Sequence, residues 1–167
     1  MKHLTVAFFI TSLLLGANDS NPKSDAGKLR EDDRSKLQGT WRMISWTRNG
    51  HDLAIEDPKL FQAIDIRWTF EGDTITQTGN FQGFNERNGP LKETFQLYPD
   101  KTPKWIDTKR KRGRKEEIYK GIYTIDGKRL KICHNPSSNS DERPTEFAAG
   151  RNSKFQLFEF ERVEERK

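Results

Sequence analysis

The chain has 167 residues, a formal net charge of +5, one cysteine and 32% hydrophobic residues. That length is one domain's worth, with no room for a separate cofactor domain. One cysteine excludes an internal disulfide framework and any multi-cysteine zinc or iron–sulfur site, and the low apolar fraction excludes a multispanning membrane protein.

Residues 1–17 read as a secretory signal: Met1-Lys2-His3 is a short basic start, and 4–15 is an apolar run too short to span a bilayer. An uncleaved N-terminal anchor is the alternative, since bulky Leu15 makes a poor cleavage site before Asn18. No cysteine follows the run, which closes the lipoprotein route, so the expected location is secreted or periplasmic. Without this segment, which carries Lys2 and no acid, the net charge falls to +4. Lys109, Arg110, Lys111, Arg112, Arg114 and Lys115 hold more positive charge than that, so the high isoelectric point belongs to one basic loop.

Residues 18–35 combine Pro22, Gly27 and many charges with Leu29 as the only large apolar side chain, and read as a flexible linker. From 36 to 163 the pattern is that of an all-β domain, and 164–167 is a charged tail. Eight strands are predicted at 40–48, 65–71, 74–78, 92–98, 104–109, 116–125, 128–133 and 154–162. Gly72-Asp73 and Asp126-Gly127 read as two-residue hairpin turns. Asp57-Pro58 opens one short helix after the first strand, with Leu60, Phe61 and Ile64 on its face. Eight consecutive antiparallel strands avoid open edges by closing, which predicts an up-and-down barrel that side chains fill or that holds one small ligand. In the last strand Phe155 and Leu157 face one way and Phe158 and Phe160 the other, so a bulge or a covering segment is needed.

Gly39-Thr40-Trp41 at the first strand resembles the lipocalin signature, in which the Trp closes one barrel end beneath an Arg from the last strand; Arg162 stands in that Arg's place. A second set of motifs is more specific. Phe95-x-Leu97-x-Pro99-Asp100-Lys101-x-Pro103-Lys104-x-Ile106-Asp107 precedes Gly121-Ile122-Tyr123, then Asp126-Gly127-x-x-Leu130-x-x-Cys133 and Arg143-Pro144-x-x-Phe147. Together they resemble the uncharacterised secreted lipocalin-like domain family found mainly in planctomycete bacteria, over residues 37 to 162. The resemblance implies a lipocalin-like (calycin) barrel and an extracytoplasmic location, and supplies no established activity or cofactor. Lys128 departs from it, standing where the family usually has an acidic residue.

The polar pair of most interest is Asp107 and Arg143. Arg143 with Lys104 would orient an anionic ligand at a mouth formed by loops 99–103 and 135–147; alternatively, an Arg143–Asp107 bridge pins the second loop. Tyr123, Trp105 and Phe95 complete the expected ligand-binding set. Together with Trp41, Trp46, Trp68 and Phe70 they would line a cavity or fill a core. Cys133 and His134 adjoin, but strand neighbours point to opposite faces, so a small buried thiol beside an exposed imidazole is expected, with no metal site. The run 109–115 reads as a solvated hairpin loop or as a site for an acidic surface or polymer. It lacks the aromatics that specific nucleic-acid binding needs. No phosphate loop, Gly-x-Ser-x-Gly elbow or opposed carboxyl pair appears, which leaves catalysis without a visible nucleophile–base pair. The expectation is a secreted, non-catalytic barrel without a cofactor that binds a small apolar or anionic molecule. The alternative is a solid interaction domain acting through the basic loop.

Overall fold

The computed structural model describes residues 22–80 and 89–164. The expected signal 1–17, the start of the expected linker and residues 165–167 of the charged tail lie outside them.

In chain order the elements are α1 Pro22–Leu37, β1 Gly39–Arg48, β2 His51–Asp52, α2 Leu53–Glu56 and α3 Pro58–Ile64. They continue with β3 Arg67–Glu71, β4 Thr74–Thr78, β5 Leu91–Tyr98, β6 Trp105–Arg112, β7 Lys115–Asp126, β8 Arg129–His134 and β9 Gln156–Arg162. Strand β1 pairs with β3, each later strand pairs with the next, and β9 returns to β1, so eight antiparallel strands close into a lipocalin-like up-and-down barrel. The two residues of β2 form a spur on the end of β1. Closure leaves no barrel strand with an unpaired edge.

Helix α3 forms for the expected reasons: the Asp57 carboxylate accepts from Leu60 N at 3.0 Å, and Pro58 opens the helix. Phe61 and Ile64 are buried on the barrel, whereas Leu60, expected on the same face, points to solvent. The helix stops at Asp65, whose φ of 38° delays β3 to Arg67.

Besides Asn49-Gly50 between β1 and β2, three hairpins use two-residue turns, Gly72-Asp73, Gly113-Arg114 and Gly127-Lys128, as the registers Glu71↔Thr74, Arg112↔Lys115 and Asp126↔Arg129 require. Each of these three has glycine first, with φ of 57°, 64° and 55°, and an ordinary residue second, the pattern of a II′ turn. The turn expected at Asp126-Gly127 is therefore one residue later. The middle turn converts the expected basic loop into strand. Across it Arg110 faces Glu117 and Lys111 faces Glu116, opposite charges that extend the ladder. A Cβ on Gly127 would touch nothing within 4 Å. Gly127→Ala is thus expected to cost about 1–2 kcal/mol from the left-handed backbone alone, read as a lowered urea midpoint with an unchanged slope.

The segment expected as a flexible linker is mostly helix α1, which packs on one end of the barrel. Hydrophobic periodicity gives no hint of it, because polar contacts hold it. Asp33, 4% exposed, accepts from Tyr123 Oη and from Lys104 Nζ, each at 2.7 Å, and Arg34 reaches Asp73 at 2.7 Å. Asp25 in its first turn and Arg34 and Lys36 in its last suit the helix dipole. Beneath the helix lies Trp41, fully buried, its Nε1 donating to Leu37 O at 2.8 Å. The Arg162 guanidinium lies 4.2 Å over the Trp41 ring and also donates to the carbonyls of Gln38 and Lys36. This end is closed.

The face switch in β9 has two structural answers. A bulge between Met43 and Ser45 in β1 keeps Phe160 and Phe158 inward against Met43 and Trp46. Outward Leu157 joins Ile122, Cys133 and Ala149 in a second apolar cluster, edged by Trp105, Phe147 and Phe155. Its cover is the long β8–β9 connection lying along the outer wall.

Candidate functional site

Sequence alternation decides which residues face the barrel interior, and the register decides at which end. Near the closed end the inward positions are apolar: Phe70, Ile75, Leu97, Ile106, Leu130 and Phe160 are nearly or fully buried. Towards the opposite end the same inward phase turns polar in strand after strand. Gln77 follows Ile75, Glu93 precedes Phe95, Thr108 and Arg110 follow Ile106, His134 follows Ile132, and Gln156 precedes Phe158. Those six side chains line a cavity of about 440 Å³. The barrel is neither hollow throughout nor solid: it is filled below and open above.

The apolar wall of the cavity is made by Met43, Trp46, Ile66, Trp68, Leu91 and Phe158. Phe158 is the hub: its ring centroid lies 6.0 Å from Trp46, 5.5 Å from Trp68 and 5.0 Å from His134. Such tilted and edge-on arrangements are the favourable ones for aromatic pairs. Three side-chain nitrogens are shielded from solvent without a hydrogen-bond partner among the described residues, namely Trp46 Nε1, Trp68 Nε1 and His134 Nε2. All three residues line this cavity. Unpartnered buried nitrogens concentrated at one cavity make it the place where the fold carries polar groups it does not itself use.

The polar wall is a connected network. Arg110 holds Glu117 Oε2 through Nη2 at 2.8 Å and Nε at 3.2 Å. Tyr119 Oη donates to the same oxygen at 2.8 Å and contacts Arg110 Nη2. These bonds hold the Glu117 carboxyl below its ordinary range. Glu93 is only 7% exposed, and its Oε1 stands 3.8 Å from Arg110 Nη1. Burial pushes its carboxyl up, against the attraction of Arg110.

His134 is an interior residue rather than the exposed imidazole expected from the sequence. Burial lowers it from an ordinary 6.5 to about 4. The unfolded chain therefore takes up its proton first as pH falls, so the neutral ring's contribution is intact above about 6.5 and is lost on the way to 4. We expect stability to fall over that interval at about 1.4 kcal/mol per pH unit from this group. His134→Gln should flatten that part of a plot of urea midpoint against pH, and an unchanged slope would show the ring to be solvated.

The sequence-predicted ligand residues lie elsewhere. Arg143 is on the outer wall: Nη2 meets Asp107 Oδ1 at 2.6 Å, and Nη1 donates to Gly121 O at 2.6 Å and Ile106 O at 3.2 Å. Its guanidinium also lies 4.4 Å from the Trp105 ring, so Arg143, Asp107 and Trp105 together form a buckle that fastens the β8–β9 connection. Lys104 and Tyr123 serve Asp33 under α1, and Phe95 packs edge-on against Phe70 at 5.4 Å in the filled half. The expected mouth between loops 99–103 and 135–147 is therefore not the cavity's opening. Loop 99–103 belongs to the closed end; Pro136, at the start of loop 135–147, lines the cavity, and Arg143 fastens that loop against the outside further on.

Of the basic run, Arg110 points inward and belongs to the cavity, while Lys109 and Arg112 approach Glu116 and Glu117, each at 3.9 Å. Lys111, Arg114 and Lys115 are exposed at the hairpin tip. Cys133 faces outward, away from His134, with Sγ 3.6 Å from Ala148 O and its thiol pushed by burial up to about 11. The two cannot act as a pair. Among the described residues no cluster of three His, Cys, Asp or Glu is placed to hold a metal, and no helix is long and apolar enough to cross a membrane. Compared with protein-family models, curated proteins and solved structures, the chain matches none.

Proposed function

We propose that this protein is an extracytoplasmic, non-catalytic binding barrel that holds one small, largely apolar molecule in the cavity at its open end. The observation that carries the reading is the switch of the inward-facing phase from apolar to polar at the same end of successive strands, over an aromatic floor. A barrel selected only for stability would gain by filling that volume with aliphatic side chains. The apolar N-terminal run and the resemblance to a secreted lipocalin-like family support the location.

Trp46 and Trp68 line the cavity, so occupancy is readable from intrinsic fluorescence. Titration with the neutral apolar dye N-phenyl-1-naphthylamine is expected to give saturable, one-to-one binding. Thr108→Trp, which places a large ring in the cavity, should abolish it while circular dichroism stays unchanged. Binding that does not saturate, or that persists in that variant, would remove the reading.

A second reading rests on the hairpin tip, where Lys111, Arg114 and Lys115 form no ion pair among the described residues. Such a tip suits an acidic surface or polymer. Its test is elution from a heparin column, expected at clearly lower salt when all three are changed to glutamine; equal elution discards it.

A further inference from the structure

The arginine that faces the cavity is bonded away from the acid that faces it. Among the described residues the charged side chains that line it are Glu93 on β5 and Arg110 on β6, with Tyr119 and a neutral His134 beside them; Glu117 on β7 bonds Arg110 without lining the cavity. Arg110 and Glu117 neutralise each other through two nitrogen–oxygen contacts, and Tyr119 joins the same carboxylate. Only the far edge of the guanidinium approaches Glu93, at 3.8 Å, which exceeds hydrogen-bond length. Glu93 is thus a nearly dry acid in a wall where Arg110, the one cation among the described residues that line it, is committed to Glu117.

Taking the cavity as the binding site, we infer that its ligand is a small aromatic or aliphatic monocation, a protonated amine seated between the Glu93 carboxylate and the aromatic faces of Trp46, Trp68 and Phe158. An amine supplies the charge that the wall lacks, and the aromatic faces attract the same cation while covering its apolar body. An anion would meet the Glu93 carboxylate and an arginine already in use. Burial raises the Glu93 carboxyl, and an entering cation favours its ionised form. Arg110 and Glu117 are the charged groups that act on it, and they are bonded to each other.

The test uses three probes of one shape on the full chain near neutral pH: 2-(1-naphthyl)ethylamine, 2-(1-naphthyl)ethanol and 3-(1-naphthyl)propionate, titrated calorimetrically. The amine is expected to bind about tenfold or more tighter than the alcohol, with the carboxylate weakest. Glu93→Gln should bring the amine to the affinity of the alcohol and leave the alcohol unchanged. The wild-type series decides the matter even if that variant fails to fold. An alcohol or carboxylate that binds as tightly as the amine overturns the charge inference while the binding-barrel reading stands. Failure of all three probes, with the neutral dye also unbound, overturns both.

Discussion

Arg143→Ala is expected to remove about 3–5 kcal/mol of folding stability, a large share of what a domain of this size has. One guanidinium connects four groups: the Asp107 carboxylate, the carbonyls of Ile106 and Gly121, and the face of Trp105. Arg143 and Asp107 side chains are 13% and 14% exposed, so alanine leaves an ionised carboxylate facing a dry wall and two carbonyls without their donor. Lysine does not rescue the site, because one ammonium cannot span three acceptors and an indole face. Chemical denaturation of Arg143→Ala, Asp107→Asn and the double variant measures the coupling. The double variant should be more stable than the sum of the two losses implies, because the stranded charge is gone. A loss under about 1 kcal/mol for Arg143→Ala would mean that the apolar cluster of Ile122, Cys133 and Leu157 holds the connection unaided. Dye binding by the folded fraction should be unaltered, since the buckle is outside the cavity.

How much of this could be read beforehand follows from what alternation encodes. The strands, the closure of β9 on β1 and the short helix at Pro58 were legible because each rests on local pattern: period two, turn glycines, a capping Asp before Pro. Trp41 and Arg162 were legible through the resemblance of Gly39-Thr40-Trp41 to the lipocalin signature, and the register sets the two opposite each other where β9 closes on β1. Helix α1 was not, since it is attached by polar contacts to residues far away in sequence: Asp33 to Lys104 and Tyr123, Arg34 to Asp73, and the Lys36 carbonyl to Arg162. The side on which Arg143 lies was hidden for a related reason. Residues 135–147 have no period, and what fixes their side is the outward apolar phase of Ile122, Cys133 and Leu157, which needs cover. The cavity did leave a signal: polar residues in phase with the core, Glu93 with Phe95 and Leu97, His134 with Leu130 and Ile132. Reading it requires knowing which ends of the strands stand together, which register supplies and composition does not.

At the closed end, Trp41→Ala should cost about 3–5 kcal/mol, the range for deleting a fully buried aromatic side chain, with little collapse to fill the space. The ring is held on both faces of the problem: the barrel packs it, and Arg162 stacks on it at 4.2 Å while holding the carbonyls at the end of α1. Trp41→Phe keeps most of the apolar contact and loses the Nε1 bond to Leu37, so about 1–2 kcal/mol is expected. Arg162→Ala should destabilise separately by loosening α1. A double-mutant cycle on Trp41 and Arg162 is expected to return about 0.5–2 kcal/mol of coupling, the worth of a guanidinium over an indole. Additive losses would show that the two residues merely sit together, each serving its own neighbours. A measured coupling would instead make the stacked pair the link between barrel closure and the docking of α1, so that the helix should exchange its amides faster in either single variant.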